Sequence, residues 1–134
     1  MIALAALVVI GLIIPSTTKS DIDETSQIQL SPIESLSETP TTEEVKQALV
    51  YLAYEYGLDQ KELLDTVQCE SGFSYDPEGY NDGGLAYGVA QFHLPTFNLY
   101  CKGDYYSAKD QLICMSEMWQ NNLQHHWSCY LKAI

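Results

Sequence analysis

Glu70 is the residue around which chemistry can be built. It closes an apolar helical run carrying Leu63, Leu64 and Val67 and is followed directly by Ser71-Gly72-Phe73. A carboxyl at a helix end, beside aromatic residues and against a loop, can be partly desolvated. Desolvation raises a carboxyl pKa, and a raised pKa suits a general acid near neutral pH. Position alone fits a solvated surface glutamate as well. Asp76, Glu78 and Asp82 follow in a polar stretch, where one of them can serve as a second carboxylate acting as base, against the plainer reading of ordinary loop solvation. Downstream, Gln91 offers both a donor and an acceptor. Gly83, Gly84 and Gly88 let the backbone turn sharply and approach a ligand closely. Asp76 to Gly84 lacks the spacing of a calcium loop, and His93, His125 and His126 show no metal-ligand spacing, so no metal or cofactor is expected.

These residues need a frame, and helix signals recur along it. Thr41-Thr42-Glu43-Glu44 reads as a capping box, followed by a stripe of Val45, Ala48, Leu49, Leu52 and Tyr56 and a stop at Gly57. Asp59 with Glu62 starts a second helix that runs to about Cys69. Ser71 to Gly84 is rich in Gly, Pro, Asp and Asn and reads as a loop too long for a mere turn, which makes it a functional candidate. The pattern predicts a short helix through Tyr87 to Phe92, another opened by Pro95 and ending near Cys101, and a longer one capped by Ser107 and carrying Leu112, Ile113, Met115, Met118 and Trp119. No run alternates as strands do. The expected class is mostly α.

Composition divides the 134 residues into three parts. Met1–Ile14 is apolar throughout. As a helix it spans about 21 Å, short of the roughly 30 Å hydrocarbon core but fitting the core of an export signal, so residues 1–14 read as a signal peptide or membrane anchor. Residues 15–40 form an acidic Ser/Thr/Pro segment without aromatic residues, too polar to offset its ordering entropy, and read as a disordered linker. Residues 41–134 hold all the aromatic, Cys and His side chains and read as one small domain. The net charge is −12, with six Lys and no Arg. Nucleic acid is an improbable partner for such a chain, as is a peripheral grip on anionic lipid.

Four cysteines behind an export signal read as two disulfides rather than a zinc site, since no C-x-x-C occurs. Of the three pairings, Cys101–Cys114 and Cys69–Cys129 are favoured. The first joins the ends of neighbouring helices, and the second ties the C-terminal segment to the helix bearing Glu70. In the chain-entropy view they contribute about 3 and about 4 kcal/mol.

Taken jointly, Cys69-Glu70-Ser71-Gly72-Phe73, Ala86-Tyr87-Gly88-Val89-Ala90-Gln91-Phe92 and Pro95-Thr96-Phe97 resemble the lysozyme-like superfamily. The soluble lytic transglycosylase domain has E-S-x-F, then G-A-x-G-x-x-Q, then P-x-T. The resuscitation-promoting-factor domain has C-E-S-G, then Y-G-x-x-Q-F-x-x-x-T with an aromatic residue, and a Trp-containing end closed by Cys, which Trp127 and Cys129 resemble. Tyr75 and Pro77 stand where the transglycosylase domain commonly has Pro and Ala. The resemblance implies a small lysozyme-like helical domain that cleaves peptidoglycan with one catalytic residue, Glu70, and binds the glycan strand through Ser71, Tyr87, Gly88, Gln91 and Phe92. It implies a muramidase of the lytic transglycosylase type, exported, monomeric, and tethered to the membrane if the apolar segment stays uncleaved. Two other outcomes stand beside it: a hydrolytic lysozyme using a second loop carboxylate, and a lysozyme-like module that binds glycan or protein without cleaving.

The charge is shared by the parts. Residues 15–40 carry −4, from five acids against Lys19, and residues 41–134 carry −8, from thirteen acids against five Lys. A wall-cleaving enzyme so acidic is repelled by an anionic wall. Activity of the untethered domain on purified wall is therefore expected to rise when salt is added at low ionic strength, because screening weakens the repulsion; a decline on adding salt would contradict this.

Overall fold

Side-chain caps start the helical frame. The structure is a computed structural model that describes residues 29–76 and 82–133. Helix α1 (Thr42–Tyr56) opens on the expected capping box: the Thr41 hydroxyl accepts from the Glu44 N–H at 3.3 Å, and the Glu44 carboxylate accepts from the Thr41 N–H at 2.7 Å. It closes on Gly57 at φ 65°, the left-handed geometry that glycine adopts without a Cβ penalty. Helix α2 (Gln60–Ser71) is capped by Asp59, which accepts from the Glu62 N–H at 2.9 Å, and it stops at Gly72, φ 64°. Helix α4 (Ala108–Gln120) is capped by Ser107. Between them lie a pair of two-residue antiparallel strands, β1 (Ala86–Tyr87) and β2 (Phe92–His93), and helix α3 (Leu94–Tyr100). Helix α5 (Ser128–Ala133) follows a 3-10 turn at Gln124–His126. The domain is mostly helical, with five α-helices among the described residues.

One core serves all of them. Helix α1 packs on α2 and α4, and α2 packs on α5. Val45, Leu49, Leu63, Val67, Leu112 and Met115 are fully buried, at the i, i+3, i+4 spacing that an amphipathic helix turns inward. Both disulfides form as favoured, Cys69–Cys129 and Cys101–Cys114, and no cysteine among the described residues is free. Two such bonds fit an oxidising, extracytoplasmic environment. No helix among the described residues is long and apolar enough to cross a membrane, and Met1–Ile14 lies outside them.

Two expectations are corrected. Tyr87 to Phe92 is not a helix. It holds the end of β1, the turn at residues 88–91 and the start of β2, with Ala86 opposite His93 and Tyr87 opposite Phe92. Gly88 at φ 78° and Gln91 at φ 50° are left-handed, and neither continues a right-handed helix. The second correction concerns the domain boundary. Residues 29–40 lie in the segment read as a structureless linker, yet Ile33 is only 7 % exposed and belongs to the core, with Leu36 packed beside it. The local cause is a small cap: the Ser31 N–H and hydroxyl both donate to the Glu34 carboxylate, at 3.1 and 3.0 Å, and close a turn that aims Ile33 inward. The packed domain thus begins about ten residues before Thr41.

Ile33→Ala is expected to cost about 2 kcal/mol of unfolding free energy in urea titration, from lost burial and a residual cavity. A midpoint equal to the parent's would mean that residues 29–40 add nothing to the core.

Candidate active site

Glu70 occupies the last turn of α2, and two links hold it there. Its neighbour Cys69 is bonded to Cys129, with Cα atoms 5.8 Å apart, and the Cys129 N–H donates to Glu70 Oε1 at 3.1 Å. Cys129 is the second residue of α5, so its N–H has no acceptor within its own helix and is available to the carboxyl. The disulfide therefore fixes the backbone group that orients the acid.

The opposite wall is the β1–β2 turn, and a buried amide holds it. Gln111 lies on the inward face of α4 and is 1 % exposed. Its Oε1 accepts from the Ala90 N–H at 3.1 Å. Its Nε2 donates to the Tyr87 carbonyl at 3.2 Å and to the Tyr105 carbonyl at 2.8 Å. Gly88 makes room for this amide, since a Cβ at that position would stand 2.7 Å from Gln111 Cδ. Further bonds fasten the turn elsewhere: the Ser71 hydroxyl donates to the Val89 carbonyl at 2.7 Å, the Trp127 indole to the Ala90 carbonyl at 2.8 Å, and the Tyr105 hydroxyl to the Phe92 carbonyl at 2.8 Å.

Between the two walls lies a cleft of about 270 Å³. Ala86, Phe92 and Trp127 supply its apolar surface, with the Phe92 ring edge-on to Trp127 at 5.3 Å. Glu70, Gln91, His93, Thr96, His126 and Ser128 supply its polar groups. Gln91 donates from Nε2 to the Gly88 carbonyl at 2.6 Å, which assigns the amide nitrogen because a carbonyl can only accept. Its Oε1 is buried and has no hydrogen-bond partner among the described residues. An unpartnered acceptor on a residue at positive φ costs free energy twice over, and such costs cluster where a ligand binds. His126 is held below the ordinary histidine range, first by burial and then by His125, whose ring centroid is 4.5 Å away, so the imidazole in the cleft wall favours its neutral form.

The residues expected to form the site separate accordingly. Glu70, Gln91 and Phe92 come together in the cleft. Ser71 acts as a tie to the turn. Tyr87 is corrected: it is 2 % exposed and packs edge-on against Tyr106 at 5.2 Å, because Tyr87 alternates with Ala86 on a strand whose other face borders the cleft. Gly88 seats Gln111 instead of lining the cleft. Asp76 is exposed and not among the cleft-lining residues, Glu78 lies outside the described residues, and only the backbone of Asp82 is described. Among the described residues no group of His, Cys, Asp and Glu is arranged to hold a metal.

Sequence reasoning passed over Gln111, and weighed His93 and His126 only for metal spacing, which they lack. Gln111 carried a signal: it falls on the same helical stripe as Ala108, Leu112, Met115 and Met118, and an amide in an apolar stripe must find buried partners. The two histidines carried none, because only the fold brings them opposite Glu70. No family model, no curated protein and no solved structure matches the chain.

Gly88→Ala is expected to cost about 3 kcal/mol, from overpacking against Gln111 and from the left-handed backbone. In a Gln111→Ala background the same change should cost only about 1 kcal/mol, since the backbone component alone remains. Additive costs in urea titrations of the four proteins would show that the two residues do not meet.

Proposed function

We propose that the chain is an exported muramidase of the lytic transglycosylase type, which cuts the β-1,4 bond between N-acetylmuramic acid and N-acetylglucosamine in peptidoglycan. The observation that carries the reading is a single carboxyl, oriented by a backbone N–H, in the lining of a cleft. Glu70 is the one carboxyl lining it among the described residues, the Cys129 N–H orients it, and Gln91 lines the same cleft. The run from Cys69 to Phe73 and the string Tyr87-Gly88-x-x-Gln91-Phe92 support the same reading from the sequence side.

The scheme needs one acid used twice. The Glu70 carboxyl gives its proton to the glycosidic oxygen as the bond to C1 of the muramyl ring breaks. Positive charge builds on the ring and is shielded by the carbonyl of its own 2-acetamido group. The muramyl 6-hydroxyl then attacks C1, and Glu70, now a carboxylate, takes the hydroxyl proton. The products are a new 4-hydroxyl and a 1,6-anhydro ring, and Glu70 returns to its starting state. Gln91 lines the same cleft beside the acid and is available there as a contact to the bound sugar. The Cys129 N–H keeps the carboxyl aimed during both transfers. No second carboxylate is required, which agrees with Asp76 standing outside the cleft. A retained N-terminal anchor would deliver this acidic domain to the wall by tethering, where raised local concentration replaces charge attraction.

Glu70→Gln is expected to lower clearing of purified wall at least about 100-fold while leaving the fold intact. Mass spectra of the wild-type digest should show 1,6-anhydromuramyl ends. Reducing ends would assign hydrolysis instead, and equal clearing by both proteins would remove Glu70 from catalysis.

A further inference from the structure

Tyr106 is 56 % exposed and yet is held firmly. Its ring stands edge-on to Tyr87 at 5.2 Å and to Tyr105 at 5.1 Å. Its N–H donates to Asp104 Oδ1 at 2.9 Å, and its carbonyl accepts from the Tyr75 hydroxyl at 3.2 Å. The loop beneath is closed by Cys101–Cys114 and by the Asp104 N–H, which donates to Asp110 Oδ2 at 2.8 Å. An exposed tyrosine with nothing to bind leaves apolar area in water and keeps its freedom. This one has lost the freedom and kept the exposure, which is the preorganisation a binding contact uses.

Tyr106 lines a groove of about 430 Å³ between residues 36–38 and the 104–109 loop. Its lining brings hydroxyl, carboxylate and ammonium groups from Ser37, Glu38, Asp104, Ser107 and Lys109 together with Leu36, Ala108 and a second aromatic ring, that of Tyr75. Two carboxylates against one ammonium disfavour an anion, and the polar rim disfavours an acyl chain. A neutral ligand with an apolar C–H face and a border of hydroxyls matches both features, and that is a sugar ring. The groove and the cleft lie on the two faces of β1: Ala86 lines the Glu70 side, and its neighbour Tyr87 packs against Tyr106.

We propose that the Tyr106 groove is a second glycan-binding site, which takes a sugar ring of the strand whose bond is presented to Glu70, with Tyr106 as the stacking platform. The inference rests on the peptidoglycan reading and adds a site to it.

The test uses the full chain carrying Glu70→Gln, so that ligand is bound but not consumed, and calorimetric titration with peptide-free glycan strands from purified wall. Adding Tyr106→Ala is expected to weaken binding about tenfold, the loss of one aromatic contact. Tyr106→Leu, which keeps apolar packing on Tyr87 and Tyr105 but has no aromatic face, should lose as much, and Tyr106→Trp should bind within about twofold of the parent. If the parent binds strands and both Tyr106→Ala and Tyr106→Leu bind them equally well, the groove is not a glycan site and the cleft reading stands. If the parent binds no strand, the peptidoglycan reading falls and this inference falls with it. If an isolated stem peptide binds with the same dependence on Tyr106, the ligand is the peptide and the sugar assignment is overturned.

Discussion

The side-chain amide of Gln111 is the interaction on which the rest of the site depends. A primary amide offers two donors and an acceptor, and burying it unpaired is costly. Gln111 meets that demand with three backbone groups from two different segments: the Ala90 N–H, the Tyr87 carbonyl and the Tyr105 carbonyl. Helix α4 thereby sets both the turn that carries Gln91 and the loop that carries Tyr106. Gly88 follows from the same constraint, because only a residue without Cβ lets the amide come so close. The 86–93 segment has few strand-like features of its own, and its geometry is imposed from the neighbouring helix.

Across the cleft the equivalent clamp is covalent. The Cys69–Cys129 bond joins α2 to α5, and a backbone N–H made available at the start of α5 orients Glu70. One wall is thus fixed by a disulfide and the other by a buried amide, with Trp127 bridging them: its indole donates to the Ala90 carbonyl while its ring packs on Phe92. The cleft has been made rigid at the expense of local backbone ease, since Gln91 stays left-handed and its Oε1 stays unpaired.

The aromatic residues divide by position and not by type. Tyr87 and Tyr105 are spent on holding Tyr106, and Phe97 packs against Phe92 and Tyr105 at 5.4 and 5.5 Å. An aromatic-rich domain of this size has enough such side chains to build a core and still expose a few. Which ones remain at the surface depends on strand alternation and loop closure, neither of which composition reveals.

Much of the frame was legible in the amino-acid order. The Thr41–Glu44, Asp59–Glu62 and Ser107–Asp110 caps, the glycine stop at Gly57 and the apolar stripes are local devices, and each formed where its spacing indicated. The cysteine pairing was legible too, once the helices they end were placed. The Ser31-Pro32-Ile33-Glu34 cap is an equally local signal, outweighed by the polar composition around it, and its neglect put the domain boundary too late. The 86–93 turn and the burial of Tyr87 were not legible, because they are set by a side chain more than twenty residues away. The placement of His93 and His126 opposite Glu70 likewise exists only after α2, β2 and the 124–126 turn have packed. Sequence by itself thus determined α1 to α4, their caps and the candidate acid, because helix caps and periodic burial act within a turn or two of the chain. Tertiary structure alone decided which groups share the cleft, because a buried amide and a disulfide choose their partners by distance in space.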